Sequence, residues 1–268
     1  MISWSVGTTY SLKAPTNMSP VVLITGASRG LGAAIAQMFL DLSYNVVLVA
    51  RTAGPLEAFA AKYPSQVAYL AGDISLDSVN VAAVNLAIEK FGKLDACVYN
   101  AAILDPITAV GKADANAWRK LYDINFFALV ASLGVAVKYL KESKGSVVFI
   151  SSGATHHYFY GWGAYGSSKA ATDHLAATLA AEEPDIKTFS LDPGVMDTAM
   201  QIAIRDKHGA EMTPTEHDRF LKLKSENTLS PPELPGGVVV NMIVKGWSAE
   251  LNGKALRFDS EELKEYAP

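Results

Sequence analysis

The stretch TGASRGLG, residues 25–32, carries three closely spaced glycines between an apolar run and a helical pattern. The apolar run before it, VVLIT at 21–25, has the length and composition of a buried strand. Gly26 can adopt the tight turn after that strand, Gly30 lets the backbone approach a pyrophosphate, and Gly32 lets the next helix pack closely. A helix that begins here offers free N–H groups to a phosphate. The stretch therefore predicts a dinucleotide-binding βα unit.

The same order of short apolar runs and longer helical patterns continues along the chain. Continuously apolar strands are typical of a parallel sheet that helices cover on both faces. Right-handed β-α-β connections then give a doubly wound α/β sheet of the Rossmann type. We predict strands over 21–25, 45–50, 66–70, 95–100, 146–151, 186–191 and 254–258, and helices over 30–42, 54–63, 76–91, 114–142, 163–182 and 232–245.

The alternation of strands and helices does not restart, so we predict one domain over residues 20–268. The segment 197–231 interrupts the rhythm, because it is polar and carries Pro214 and Pro231. We expect this segment to form a small helical insertion, a lid over the carboxyl edge of the sheet. Residues 1–19 lack the pattern of a secretory signal, and we expect them to be a flexible tail.

The end of the second predicted strand indicates which nicotinamide dinucleotide the chain prefers. A chain that binds NAD places an acidic residue about twenty residues past the glycines. Here the strand is followed by Arg51, and Arg29 lies within the glycine turn. Two guanidinium groups suit the 2′-phosphate of NADP(H), because arginine provides a forked and permanently charged set of donors. We therefore predict NADP(H); the alternative is that both arginines are solvated surface residues.

A second stretch, YGSSK at 165–169, places a tyrosine and a lysine one helical turn apart. Such pairs are common on surface helices, but Ser152 ends the fifth predicted strand, at the edge where α/β sheets bind ligands. A hydroxyl, a phenol and an ammonium could then surround one carbonyl oxygen. The ordinary tyrosine pKa of about 10 is too high for efficient proton exchange at neutral pH. We predict that Lys169, together with the positive charge of the oxidised nicotinamide, lowers the pKa of Tyr165.

Together, these stretches resemble the short-chain dehydrogenase/reductase family over roughly residues 20–258. Further matches are Gly72-Asp73-Ile74, similar to the family's adenine-site loop, and Asn100-Ala101, similar to its Asn-Ala-Gly motif. The resemblance implies a catalytic set of Asn125, Ser152, Tyr165 and Lys169. It implies cofactor contacts from Gly26, Ser28, Arg29, Gly30, Leu31, Gly32, Arg51, Asp73, Ile74, Asn100, Ala101, Tyr165, Lys169, Pro193, Gly194, Val195 and Thr198.

The resemblance also implies the chemistry: hydride transfer between NADP(H) and a small-molecule carbonyl substrate. Tyr165 would donate the proton and Ser152 would hold the substrate oxygen. Lys169 would bind the ribose hydroxyls of the nicotinamide, and Asn125 would anchor a water beside it. From its residue type alone, the preferred interpretation of Asn125 is a hydrogen-bonded core asparagine.

Within the family, the stretches SSGA, YGWGAYGSSKAA and DPGVMDTAM are most similar to fungal benzil reductases, which are relatives of sepiapterin reductase. This similarity implies a ketone or an aromatic diketone as the substrate. Ala102 stands where the family usually has glycine, so crowding near the cofactor is expected. An apolar substrate pocket could be built from Tyr158, Phe159, Tyr160, Trp162, Met196, Met200 and Phe220.

Three other functions are alternatives to a carbonyl reductase. Sepiapterin reductases hold the pterin with an aspartate near the C-terminus, where this chain has Arg257, although Asp259 is close. A pterin reductase and an NADP-dependent alcohol dehydrogenase both remain open. A non-enzymatic NADP sensor is disfavoured by the complete catalytic set, because a sensor has no need of Ser152.

Composition and charge argue against several kinds of partner. The net charge of −4, with no basic run, gives no reason to expect nucleic-acid binding, and no apolar run reaches the roughly 18 residues of a membrane span. We predict no metal site, because His156 and His157 lack ligand partners at suitable spacing, and we expect Cys97 to be a buried apolar residue. The cytoplasm is the expected location.

The helical patterns at 115–142 and 163–182 indicate that two copies of this chain pair with each other. The first is apolar around much of its circumference, and the second is rich in small residues that permit close helix approach. Because members of the family usually pair through such helices, we predict a homodimer.

Overall fold

The computed structural model describes residues 19–268, so the tail predicted for 1–19 lies, except for its last residue, outside the described residues. All seven predicted strands are present: β1 Val21–Thr25, β2 Asn45–Ala50, β3 Val67–Ala71, β4 Ala96–Tyr99, β5 Ser146–Ile150, β6 Lys187–Asp192 and β7 Ala255–Arg257. They form one parallel sheet in the order β3-β2-β1-β4-β5-β6-β7. The winding reverses between β1 and β4, so the loops after these strands diverge and leave a crevice at the carboxyl edge.

Helices cover both faces of the sheet. Their bounds are α1 Gly30–Asp41, α2 Ala53–Lys62, α3 Asp77–Phe91, α4 Ala115–Tyr122, α5 Ala128–Ser143, α6 Gly163–Glu182, α7 Ala199–Asp206, α8 Pro214–Ser225 and α9 Glu233–Lys245. In β1, Val22 and Ile24 pack with α1, α2 and α9, whereas Val21 and Leu23 pack with α3, α5 and α6. Burial on both sides explains the continuously apolar strands, and the doubly wound fold is confirmed.

The helix predicted over 114–142 contains an irregular turn. After α4, a turn of π-helix at Asp123–Phe127 precedes α5. Asn125 lies in this turn, and its side-chain amide bonds the backbone of Ile103 twice, donating to the carbonyl and accepting from the N–H, both at 2.9 Å. The predicted helix is therefore confirmed as one helical stretch, Ala115–Ser143, and the π turn within it was not predicted. Such π turns are frequent at functional sites.

The segment predicted as an insertion, 197–231, contains α7 and α8. Its two ends meet: Met196 and Ser230 form an isolated parallel bridge. Asp197 N donates to the Ser230 carbonyl, and Ser230 N donates to the Val195 carbonyl, each over 3.1 Å. The two ends of the insertion therefore lie next to each other.

The helical stretch Ala115–Ser143 has apolar residues on two sides. By length and hydropathy alone it could cross a membrane, a test that the core helices of globular proteins also pass. Leu133 and Leu140 pack into the core against the sheet. On the opposite side, Phe127 is 52% exposed and Val130 is 45% exposed. The sheet thus covers only one of the two apolar sides.

Candidate active site

A cavity of about 710 Å³ opens at the carboxyl edge of the sheet, between the loops that follow β1, β2, β4, β5 and β6. Its volume is in the usual range for ligand pockets. The wall includes most of the predicted site residues: Gly26, Ser28, Arg29, Gly30, Leu31, Arg51, Asp73, Ile74, Asn100, Ala101, Ser152, Tyr165, Lys169, Pro193, Gly194, Val195 and Thr198. Gly32 and Asn125 lie outside this wall.

The glycine turn after β1 has the backbone shape that its sequence predicts. Gly26 and Gly30 have φ angles of +69° and +56°, and Gly26 N donates to the Val49 carbonyl over 2.8 Å. At Gly32, an added Cβ would lie 2.4 Å from the Gly26 carbonyl oxygen, so this glycine permits close packing of α1 on the turn. The N-terminus of α1 has no side-chain cap from Arg29. The turn therefore fits a pyrophosphate.

The loop after β4 is tied to this turn by hydrogen bonds. Asn100 Nδ2 donates to the carbonyls of Thr25 and Gly26, over 2.9 and 3.2 Å. The Thr25 hydroxyl accepts from the backbone N–H groups of Asn100 and Ala101, each over 3.1 Å. The polar side chain of Asn100 thus shapes the cavity floor through the backbone of the glycine turn, and Ala102 follows on the same wall.

The end of the cavity next to β2 and β3 carries both predicted arginines. Arg29 and Arg51 are exposed and line the cavity, where their guanidinium groups can meet a phosphate. Asp73 Oδ1 accepts from Ser75 N over 3.0 Å, which shapes the loop after β3, and Ile74 is buried beside it. This end of the cavity combines a positively charged rim with an apolar floor.

Tyr165 lies on α6 with its phenol buried at the cavity wall, 6% exposed. Burial raises the pKa of Tyr165 to about 12, a hydrogen bond with the Ser152 hydroxyl lowers it, and the negative charge of Asp192 raises it. Ser152 Oγ also accepts from Ala154 N over 3.2 Å, which holds the hydroxyl at the end of β5. The hydroxyl and the phenol therefore face the same part of the cavity.

Lys169 is 3% exposed, and its ammonium donates to the Ile150 carbonyl over 2.6 Å. Its Nζ lies 5.9 Å from the centre of the Tyr165 ring. Burial lowers the pKa of Lys169 to about 8, and the charge of Asp173 acts in the opposite direction. In the protein without a cofactor, burial outweighs the other influences on the phenol and Lys169 is not among them, so the pKa of Tyr165 lies above its ordinary value. The predicted lowering, which also depends on the charge of the nicotinamide, stays a prediction.

Asn125 is buried behind the wall, 1% exposed. Besides its two bonds to Ile103, its Nδ2 donates to Ser168 Oγ over 3.2 Å, and that hydroxyl donates to the Tyr165 carbonyl over 2.7 Å. Asn125 thus connects the loop after β4 with α6. This contact set matches a hydrogen-bonded core asparagine, which was one of the two interpretations of its residue type.

Aromatic rings line the end of the cavity beyond Tyr165. Trp162 meets the Tyr165 ring edge-on at 5.8 Å and stacks on Phe220 at 5.7 Å, and Phe159 lies 4.8 Å from Trp162. Met196 and Met200 also line the cavity.

Two of the residues predicted for this pocket do not belong to it. Tyr158 is 92% exposed and Tyr160 is 50% exposed, and neither is part of the cavity wall. The loop after β5 turns these rings outward, and Tyr160 N donates to Glu216 Oε1 on α8 over 2.9 Å. A run of consecutive aromatic residues cannot all face one side, and the sequence does not say which ones do.

Sequence reasoning missed two charged residues on the wall. Asp192 ends β6, and its Oδ1 accepts from Gly194 N over 2.9 Å. Its position directly after a buried strand was a sufficient signal, because strand ends meet at the ligand-binding edge. Arg219 lies on α8 with its guanidinium 5.6 Å from the centre of the Phe159 ring. No sequence signal marked Arg219, since its place depends on how the insertion folds.

Comparisons with known proteins agree with this geometry. A family model described as short chain dehydrogenase matches residues 20–209. An uncharacterized oxidoreductase of Saccharomyces cerevisiae, YIR035C, is 41% identical over 94% of this chain and 100% of its own length. Its crystal structure has a TM-score of 0.91, with 93% of this chain and 100% of that chain covered.

Another protein and another solved structure from Saccharomyces cerevisiae are similar to this chain along most of their length. Benzil reductase ((S)-benzoin forming) IRC24 is 37% identical over 92% of this chain and 98% of its own length. A solved structure of a cytoplasmic protein with unknown function is 40% identical with a TM-score of 0.80, covering 93% of this chain and 100% of that chain.

Proposed function

Because the chain belongs to the short-chain dehydrogenase/reductase family of oxidoreductases, we propose that it is an NADPH-dependent carbonyl reductase. The observation that carries this proposal is one cavity that holds the glycine turn of β1 at one end and Tyr165, Ser152 and Lys169 at the other. A dinucleotide laid across the carboxyl edge would place its nicotinamide beside these three side chains.

When bound, the reduced nicotinamide supplies the hydride that reduces the carbonyl carbon. Tyr165 gives its proton to the carbonyl oxygen as negative charge develops there. Ser152 donates a hydrogen bond to the same oxygen and holds it in place. The Lys169 ammonium stabilises the tyrosinate that remains and binds the ribose hydroxyls of the cofactor. Asn125 acts as a positioning residue, since its contacts run to Ile103 and Ser168.

The proposed preference for NADP(H) rests on Arg29 and Arg51, which both line the cavity in an exposed position. A 2′-phosphate would receive forked, charged hydrogen bonds there, whereas the plain ribose of NADH would not. The absence of a carboxylate directly after β2 in the sequence supports the same preference.

The substrate we propose is an aromatic ketone or vicinal diketone. Trp162, Phe159 and Phe220 form an apolar wall next to Tyr165, which suits flat rings. IRC24 is named as a benzil reductase, and a diketone with two rings would fit such a wall. A pterin is disfavoured, because Arg257 lines the cavity and pairs with Asp259 at 2.8 Å, which engages the nearest aspartate.

Loss of NADPH absorbance in the presence of benzil tests this function. The wild-type protein is expected to oxidise NADPH with benzil and not with sepiapterin. Replacing Tyr165 with Phe removes the proton donor, and the rate is expected to fall by about 10²- to 10⁴-fold while NADPH still binds. Wild-type turnover of sepiapterin but not benzil would contradict the proposed substrate, and near-normal turnover by Y165F would contradict the role of Tyr165.

We further propose a single domain over 20–268, a homodimer, and a cytoplasmic location. The pairing rests on the apolar side of Ala115–Ser143 that the sheet leaves exposed, at Phe127 and Val130. The location rests on the solved relative described as cytoplasmic.

A further inference from the structure

Asp173 is a half-buried carboxyl on α6 that the proposed mechanism leaves without a role. It follows Lys169 by four residues, and Lys169 follows Tyr165 by four. Residues at this spacing lie one above another on the same face of a helix. The three side chains therefore form a row on the side of α6 that faces β5 and β6.

The Asp173 carboxylate is held from the sheet. Ser190, which is fully buried on β6, donates its hydroxyl to Asp173 Oδ1 over 2.5 Å. The buried hydroxyl of Ser151, at the end of β5, makes no standard hydrogen bond within the described residues, but it lies near enough to lower the pKa of the same carboxyl. Burial raises the pKa of Asp173 above its ordinary value, and these two serines on neighbouring strands act against burial by favouring the ionised form.

Lys169 is in an unfavourable place for a charge. Its ammonium is buried, and its hydrogen bond goes to Ile150, whose carbonyl carries no net charge. Asp173 is the group whose charge raises the pKa of Lys169 against this burial. The influence is mutual, because Lys169 lowers the pKa of Asp173.

Two other titratable groups act on Asp173 and Tyr165 and not on Lys169. His156, on the loop after β5, lowers the pKa of Asp173 and so supports its ionised form. Asp192, at the end of β6, raises the pKa of Tyr165. The carboxylate one turn behind Lys169 is thus the counter-charge of the buried ammonium.

We propose that Asp173 is a positioning residue whose carboxylate, held by Ser190, keeps the Lys169 ammonium charged, one helical turn from Tyr165. This role rests on the proposed function, in which a charged Lys169 stabilises the tyrosinate. The carboxylate touches neither substrate nor cofactor and acts through the lysine alone.

Replacing Asp173 with Asn tests the proposal, since the amide keeps the shape and can still accept from Ser190. The first measurement is the titration of Lys169 in the cofactor-free protein by ¹³C NMR of the lysine ε-carbons, with the signal assigned through K169R. The midpoint in D173N is expected to fall by about one pH unit, because an opposite charge nearby favours the charged lysine. Glu89→Gln removes the same charge at an exposed site on α3 and is expected to leave the midpoint unchanged.

The second measurement is the pH dependence of kcat with benzil and saturating NADPH. The wild-type rate is expected to fall as pH rises and Lys169 loses its proton. In D173N this fall is expected to begin at lower pH, with little loss of rate below it. A role of Asp173 in folding alone would lower the rate equally at every pH and would overturn the proposal.

An unchanged Lys169 midpoint in folded D173N overturns the proposal whatever the activity. If D173N fails to fold, Asp173→Ser, which is smaller and also uncharged, provides the same two readouts. A wild-type protein without benzil turnover contradicts the proposed substrate instead, and the NMR midpoint then decides the role of Asp173 alone.

Discussion

Burial shifts the pKa values of Tyr165 and Lys169 in opposite directions. It raises the pKa of the phenol and lowers the pKa of the ammonium, so in both cases the neutral form is favoured. The phenol therefore keeps its proton at neutral pH and is available as a donor, while the lysine is the group close to its titration point. The pH dependence of this site is accordingly governed by Lys169.

The choice of cofactor also depends on single side chains, and Arg51 provides a direct test. Replacing Arg51 with Gln removes charged hydrogen bonds to a 2′-phosphate, so the Kd for NADPH is expected to rise about ten- to hundredfold. The Kd for NADH should change little, which fluorescence titration of both cofactors can measure. Arg119→Gln, on the exposed side of α4, is the matched control. Equal losses for both cofactors in R51Q would contradict the assignment of Arg51 to the phosphate.

Elements with a strong periodic pattern were predicted well, and those shaped by a distant contact were not. The strands and the helices flanking them match because their apolar runs report burial directly. The π turn around Asn125 was missed, since the hydrogen bonds that Asn125 makes there go to the backbone of Ile103, 22 residues earlier in the chain. The burial of Tyr165 could not be predicted either, because it depends on Trp162 and other neighbours that only the fold brings together.

Two glycine substitutions, one at the junction of β1 and α1 and one in α2, test how tightly α1 packs on the turn after β1. Gly32→Ala would set a methyl group 2.4 Å from the Gly26 carbonyl oxygen, so the backbone must shift. We expect a loss of about 1–3 kcal/mol in the free energy of unfolding, and weaker NADPH binding. Gly54→Ala, in α2, meets open space and is expected to be neutral or slightly stabilising. Urea unfolding compares the two, and equal stability of both variants would contradict the tight junction.

At the scale of the whole molecule, the exposed apolar side of Ala115–Ser143 points to pairing. Val130→Glu places a charge in the proposed contact, and the mass by gel filtration is expected to fall from two chains to one. Leu42→Glu, at the end of α1, alters an apolar residue of similar exposure, 51% against 45%, and should leave the mass unchanged. A wild-type mass of one chain would contradict the homodimer.

The bridge between Met196 and Ser230 has a consequence for how this scaffold could diversify. A segment whose two ends are held together can be exchanged as a unit, because no strand of the sheet has to change its pairing to accommodate a different segment. Grafting another relative's stretch between these two residues would then redesign the side of the cavity that α7 and α8 supply and would replace the predicted cofactor contact Thr198, while the glycine turn, Arg29 and Arg51 stay as they are.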